Sequence, residues 1–163
     1  MKARHLFDQY MKAAEPKEHR EVLDLFIAIR PHGKERTHGS HHSTPEKTRN
    51  WEAYVGTVTA SDMMKGRKTI TFPVAARVIF GVHKNRADID NLEKAIWDGL
   101  QHCDRLTGQG AALANDSLIR GYVSKCEIAV EKGEEFVWVR FYALDAHDFL
   151  DYNASNYSSE GTY

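Results

Sequence analysis

Cysteine is nearly absent: a chain of 163 residues holds two, Cys103 and Cys126, and neither belongs to a Cys-x-x-Cys pair. That excludes a disulfide scaffold and a cysteine-built zinc site, and it makes a reducing cytoplasm the expected setting. No apolar run approaches the ~20 residues of a membrane span; the longest lie near 22–29 and 72–82, and the N-terminus carries no signal-peptide core. An excess of positive charge is missing too. Lysine and arginine number 22 against 23 acids, for a formal net charge of -1, so a uniformly basic nucleic-acid binder is excluded. That total averages unlike parts. Residues 145–163 contain Asp145, Asp148, Asp151 and Glu160 with no lysine or arginine, which takes the rest of the chain from -1 to +3. Nine histidines can add charge wherever neighbouring acids raise their pKa. With 42% hydrophobic residues, what is present suffices for one domain with its own core.

The chain's periodicities predict its elements. Leu6, Tyr10 and Ala13 or Ala14 recur at helical spacing, predicting a short amphipathic helix within 1–20. The run VLDLFIAI over 22–29, ended by Pro31 and Gly33, predicts a buried strand. The segment 30–43, RPHGKERTHGSHHS, has no apolar period and reads as an exposed loop. Thr44, Pro45 and Glu46 then supply an N-cap, a first-position proline and a first-turn acid, and Trp51, Val55 and Val58 give the helix one apolar stripe to about Ser61. After a turn at 66–71, FPVAARVIFGVH over 72–83 predicts a second strand. Leu92, Ala95, Ile96 and Leu100 form the inner face of a second helix, for which Asp90 is the expected N-cap; Trp97, opposite that face, reads equally as a dimer contact or as a partly buried core residue. Residues 118–130 and 136–143 flank Lys132-Gly133, predicting a hairpin. The order β, long loop, α, β, α, β, β describes an α/β (α+β) chain with a small mixed sheet of about four strands flanked by helices. It divides into a helical extension over 1–20, a domain over 21–145 and a polar acidic tail over 146–163, expected to be mobile although Phe149 and Leu150 could dock.

Chemistry concentrates between Arg86 and Asp116. On extended backbone, Asp88 and Asp90 project from the same side while Ile89 turns to the core. Converging carboxylates repel unless a divalent cation neutralises them, and hard oxygen donors suit Mg2+ or Mn2+. Lys94 follows Asp90 by one helical turn, where an ammonium can offset phosphate charge, and Asp98 extends the same stripe. The plainer alternative is a solvated helix face of i,i+4 pairs worth roughly 0.2–0.5 kcal/mol each. Asp116, where a glycine-punctuated loop meets the next strand, suits either a third ligand or an ordinary turn acid.

The string Arg86-x-Asp88-x-Asp90-Asn91-Leu92-x-Lys94-Ala95, followed by Asp98-x-Leu100 and Asn115-Asp116-Ser117-x-Ile119, resembles the D-x-D-N-L-x-K, D-x-L and D-D-x-x-I pattern of the RusA-type Holliday-junction resolvases of bacteria and their phages. Pro31, Arg36, the Thr44-Pro45-Glu46-Lys47-Thr48 segment and Glu52 resemble the arginine-bearing loop and helix start of phage-type relatives. The likeness spans residues 22–142 and departs from the pattern at Asn115 and in a longer loop before Asp116. It implies a Mg2+-dependent endodeoxyribonuclease, with Mn2+ as a substitute, that resolves four-way DNA in recombination and repair. It also implies a homodimer, a small mixed α/β fold and a bacterial or phage-encoded enzyme working in bacterial cytoplasm, with no membrane partner. By position, Asp88, Asp90 and Asp116 would bind the metal, and Lys94 would complete the catalytic set.

Residues 30–49 hold Arg30, Lys34, Arg36, Lys47 and Arg49 against Glu35 and Glu46, a local +3. With Arg86 at the head of the motif, they are the expected DNA-backbone contacts. His32, His38, His41 and His42 lie among them, leaving three readings: DNA contact, a polar loop without ligand, or a zinc site at an unfamiliar spacing. Alternatives for the whole chain are a broader branched-DNA nuclease, a non-catalytic DNA-binding protein of the same fold, and an interaction domain that uses its acidic tail.

Overall fold

The computed structural model describes residues 20–33, 46–62, 68–84, 87–102 and 111–157. The first strand, β1, spans Glu21–Ile27. Helix α1 (Glu46–Asp62) and strand β2 (Val74–Val82) follow, then helix α2 (Ile89–Leu100). A short 3-10 turn at Asp116–Leu118 leads into β3 (Ile119–Ala129), and β4 (Phe136–Ala143) and α3 (Ala146–Tyr157) close the chain. The result is an α+β fold around a mixed four-stranded sheet, as expected. The helix expected within 1–20 and most of the histidine-bearing loop lie outside the described residues.

Strand order is β1-β4-β2-β3. β4 runs antiparallel to both β1 and β2, with Val139 opposite Leu25 on one side and Val78 on the other. β2 and β3 are parallel, with Val78 beside Lys125. The expected β3–β4 hairpin therefore does not form. β2 is buried on both faces, and such a strand belongs inside a sheet with a neighbour on each side. The more polar β3 takes the edge, and the connection after it crosses the end of β2, where the Val130 N–H donates to the Val82 carbonyl at 2.9 Å. Where β2 pairs with the start of β4, Gly81 leaves room for its partner's ring: a Cβ there would lie 2.4 Å from the Phe136 ring.

The main core lies between the sheet and the two central helices. Val74, Ala76, Val78 and Phe80 of β2 meet Val137, Val139 and Phe141 of β4, and all are buried. The inner face of α2 buries Leu92, Ala95, Ile96 and Leu100 as the spacing predicts. Trp97 is buried as well, its ring 5.6 Å from that of Phe141, so of its two readings the core one holds. On α1, Val55 is buried and Trp51 and Val58 pack at the core's margin, and the stripe also takes in two buried threonines, Thr48 and Thr59. Thr59 satisfies its hydroxyl by donating to the Val55 carbonyl at 2.7 Å.

The expected polar tail begins instead as a helix. Asp145 accepts the His147 N–H at 2.7 Å at its start, Phe149 docks on the core, and buried Tyr152 donates to the Lys68 carbonyl at 3.0 Å. Leu150 stays exposed. Two apolar residues one turn apart outweighed the polar composition around them.

Candidate active site

The N-terminus of α2 collects the acids. Asp88, with φ -71° and ψ 160°, is the N-cap, and its side chain accepts the Asn91 N–H at 2.9 Å. This corrects the expected cap: Asp90 lies inside the first turn, two residues later. The expected alternation survives in part, since Asp88 is extended and exposed while Ile89 packs towards the core. Both carboxylates thus sit at the positive end of the helix macrodipole, which favours anions there.

Lys94 is exposed one turn beyond Asp90, but Asp90 pairs elsewhere. Its Oδ1 accepts from Lys125 Nζ at 3.1 Å, and the same ammonium donates to Glu93 Oε2 at 2.8 Å. Glu93 Oε1 accepts from Trp97 Nε1 at 3.0 Å and from the Tyr122 hydroxyl. The hydrogen bond to Glu93 holds the Lys125 ammonium above the usual lysine range against the opposing effect of burial, with Asp90 adding to it. Lys125, Glu93 and Tyr122 escaped the sequence reading because two lie on β3 and one on α2. A strand and a helix 32 residues apart bring them together, and no local period signals it.

Asp116 opens the 3-10 turn ahead of β3 and is exposed. Among the described residues it is not grouped with the other two acids. Lys125, which reaches Asp90, lies beside Val78, whereas Ile119 at the head of β3 lies beside Val74, and Asp116 precedes Ile119. Two bulges on β3 lie between them, so Ile119 and Lys125 are separated by the four residues from Val74 to Val78 on β2, about 13 Å at ~3.3 Å per residue. The oxygen donors suit Mg2+ or Mn2+ by chemistry. Yet among the described residues no three histidine, cysteine or acidic side chains are grouped closely enough to hold an ion.

The stem of the basic loop reaches this site. Trp51 Nε1 donates to the Arg30 carbonyl at 3.0 Å, His32 and Thr48 share a 2.9 Å hydrogen bond, and His32 stacks on Trp51 at 5.9 Å. Gly33 lies so close to Ala87, beside Asp88, that an added Cβ would meet the Ala87 Cβ at 2.4 Å. Arg30, Lys47 and Arg49 are exposed around this clip, while Lys34, Arg36 and Arg86 lie outside the described residues.

The family profile described as Endodeoxyribonuclease RusA matches residues 28–136, well over half of the chain and every element from α1 to β3. The chain belongs to the RusA family. No curated protein matches the sequence. RusA membership makes the chain an endodeoxyribonuclease of the Holliday-junction resolvase class, acting on branched DNA. The RusA match includes Asp88, Asp90, Lys94 and Asp116 and ends at the start of β4, so α3 falls beyond it. No helix among the described residues is long and apolar enough to cross a membrane.

Proposed function

We propose that this RusA-family chain is a Mg2+-dependent resolvase of four-way DNA, with Mn2+ as a substitute, working as a homodimer in recombination and repair in bacterial cytoplasm. The observation that carries the site is the pair of exposed carboxylates at the N-terminus of α2, Asp88 and Asp90, with the exposed Lys94 one turn along. Asp88, Asp90 and Asp116 would hold the ion, which when bound would neutralise the carboxylates, orient the scissile phosphate and lower the pKa of an attacking water. Lys94 is placed to offset charge on the phosphate or on the leaving oxygen. Arg30, Lys47 and Arg49, around the clip that joins the loop stem to Ala87, supply positive charge for the DNA backbone, with Lys34, Arg36 and Arg86 as further contacts.

The separation of Asp116 from Asp88 and Asp90 supports the dimer. Asp116 stands at the head of β3 and is not grouped with Asp88 and Asp90, so a second copy's Asp116 would be the carboxylate that completes each site. A two-fold enzyme also matches the paired, symmetry-related incisions that a junction needs.

Synthetic junctions, forks, flaps and duplexes incubated with Mg2+ test the substrate. Paired cuts confined to the junction are expected, equal cutting of forks and flaps would indicate the broader nuclease, and junctions bound but left intact would sink the catalytic reading. For the shared site, Asp90→Asn and Asp116→Asn should each be inactive alone. Co-expressed, they should regain single-strand nicking, because one of the mixed dimer's two sites recovers all its carboxylates. Silence from a verified mixed dimer would place each Asp116 in its own chain's site.

A further inference from the structure

The Lys125 cluster has no part in the roles assigned above, and its construction is uneven in an informative way. Glu93 is nearly buried, its side chain 13% exposed, and both its oxygens are engaged, by Lys125 on one and by Trp97 and Tyr122 on the other. Asp90 is the opposite, 72% exposed and bonded through Oδ1 alone. Lys125 lies between them, 28% exposed, with its ammonium 5.0 Å from the centre of the Tyr122 ring. A fixed base thus grips a lysine, and the lysine grips one oxygen of an otherwise loose carboxylate. Charge-assisted hydrogen bonds are strong enough to hold such a geometry, and outer groups of this kind commonly orient the ligands of a metal.

We propose that Lys125 is a positioning residue for Asp90: seated on Glu93, it fixes Oδ1 and keeps Oδ2 available for the divalent cation. The proposal rests on reading Asp90 as a ligand of that cation. Lys94 and Lys125 then divide the work. Lys94 is exposed and pairs with no acid among the described residues, so it serves the DNA; Lys125 is committed to the protein.

Titrating Mn2+ into the full-length, metal-free protein and following the heat separates these roles. Lys125→Met keeps the aliphatic stem and should bind Mn2+ ~10-fold more weakly, the lower end of the loss typical of such outer residues. Lys125→Arg, able to bridge both acids, should restore most of the affinity. Glu93→Gln keeps an acceptor for Trp97 and Tyr122 while weakening the seat of Lys125, and should fall between. Junction binding without metal should be unchanged in all three, and junction cutting should lose kcat with little change in KM. Wild-type Mn2+ affinity in Lys125→Met, or tighter, overturns the proposal. So does a loss of metal-free junction binding at unchanged Mn2+ affinity, which would make Lys125 a phosphate contact. Failure of the wild-type protein to take up Mn2+ would instead remove the metal-site reading, and the proposal with it.

Discussion

Asp88 combines two duties, because the carboxylate that caps α2 through the Asn91 N–H is also a proposed metal ligand. Serine caps a helix about as well as aspartate but brings no charge, so substitution separates them. Asp88→Ser should leave thermal stability near the wild-type value and abolish cleavage. Asp88→Ala should abolish cleavage and also cost about 1 kcal/mol in denaturant titration. Equal instability in both variants would mean that the charge at the helix terminus matters more than the cap. Much at this scale was legible in the chain: the D-x-D-N-L-x-K string marks Asp88, Asp90 and Lys94, and the matching family profile covers all three. The cap was misplaced by two residues, because both aspartates are suitable cap types and only the backbone angles decide which one has left the helix.

Elements owe their positions to close contacts that local patterns do not contain. At Gly81, a methyl group would overlap the Phe136 ring, which stacks on Phe26 at 5.0 Å. Gly81→Ala should therefore cost about 1–3 kcal/mol, as overpacked cores do. Adding Phe136→Leu should return part of that stability in the same melt, and independent, additive losses would argue against the overlap. The connection that carries Phe136 over β2 has a pH signature of its own. A hydrogen bond from its own N–H, with a further one from Gly133, holds the Glu135 carboxyl below the usual range, although burial opposes this. A carboxyl lowered on folding adds stability above its unfolded pKa and loses it as pH falls through the folded value. Glu135→Gln should accordingly destabilise the protein at pH 7, with the difference shrinking as pH falls below the usual carboxylate range, compared by urea titration. Helix faces and strand positions were readable because periods of 3.6 and 2 are written locally. Strand order was not: whether β3 pairs with β4 or with β2 depends on which strand needs two neighbours, a property of the whole sheet.

For the whole molecule, charge placement matters more than charge sum. The net charge of -1 includes acids proposed to face metal and an acidic segment beyond the family match, while Arg30, Lys47 and Arg49 are exposed at the loop stem and the start of α1. Junction binding should weaken steeply with salt, and Lys47→Gln with Arg49→Gln should reduce the slope of log affinity against log salt by about 2, near 0.9 per phosphate contact. An unchanged slope would move the DNA path away from the start of α1. Sequence alone determined the family, the α+β class, the inner face of α2 and the acids of the motif, because each is recorded in residue types at short spacing. Tertiary structure decided that β2 lies between β3 and β4, that Lys125 and Glu93 stand behind Asp90, and that Asp116 is not grouped with Asp88 and Asp90. Those facts depend on which distant segments share a face. That is settled by burying β2 on both sides and by satisfying charges across 30 residues or more, neither of which a single stretch of chain records.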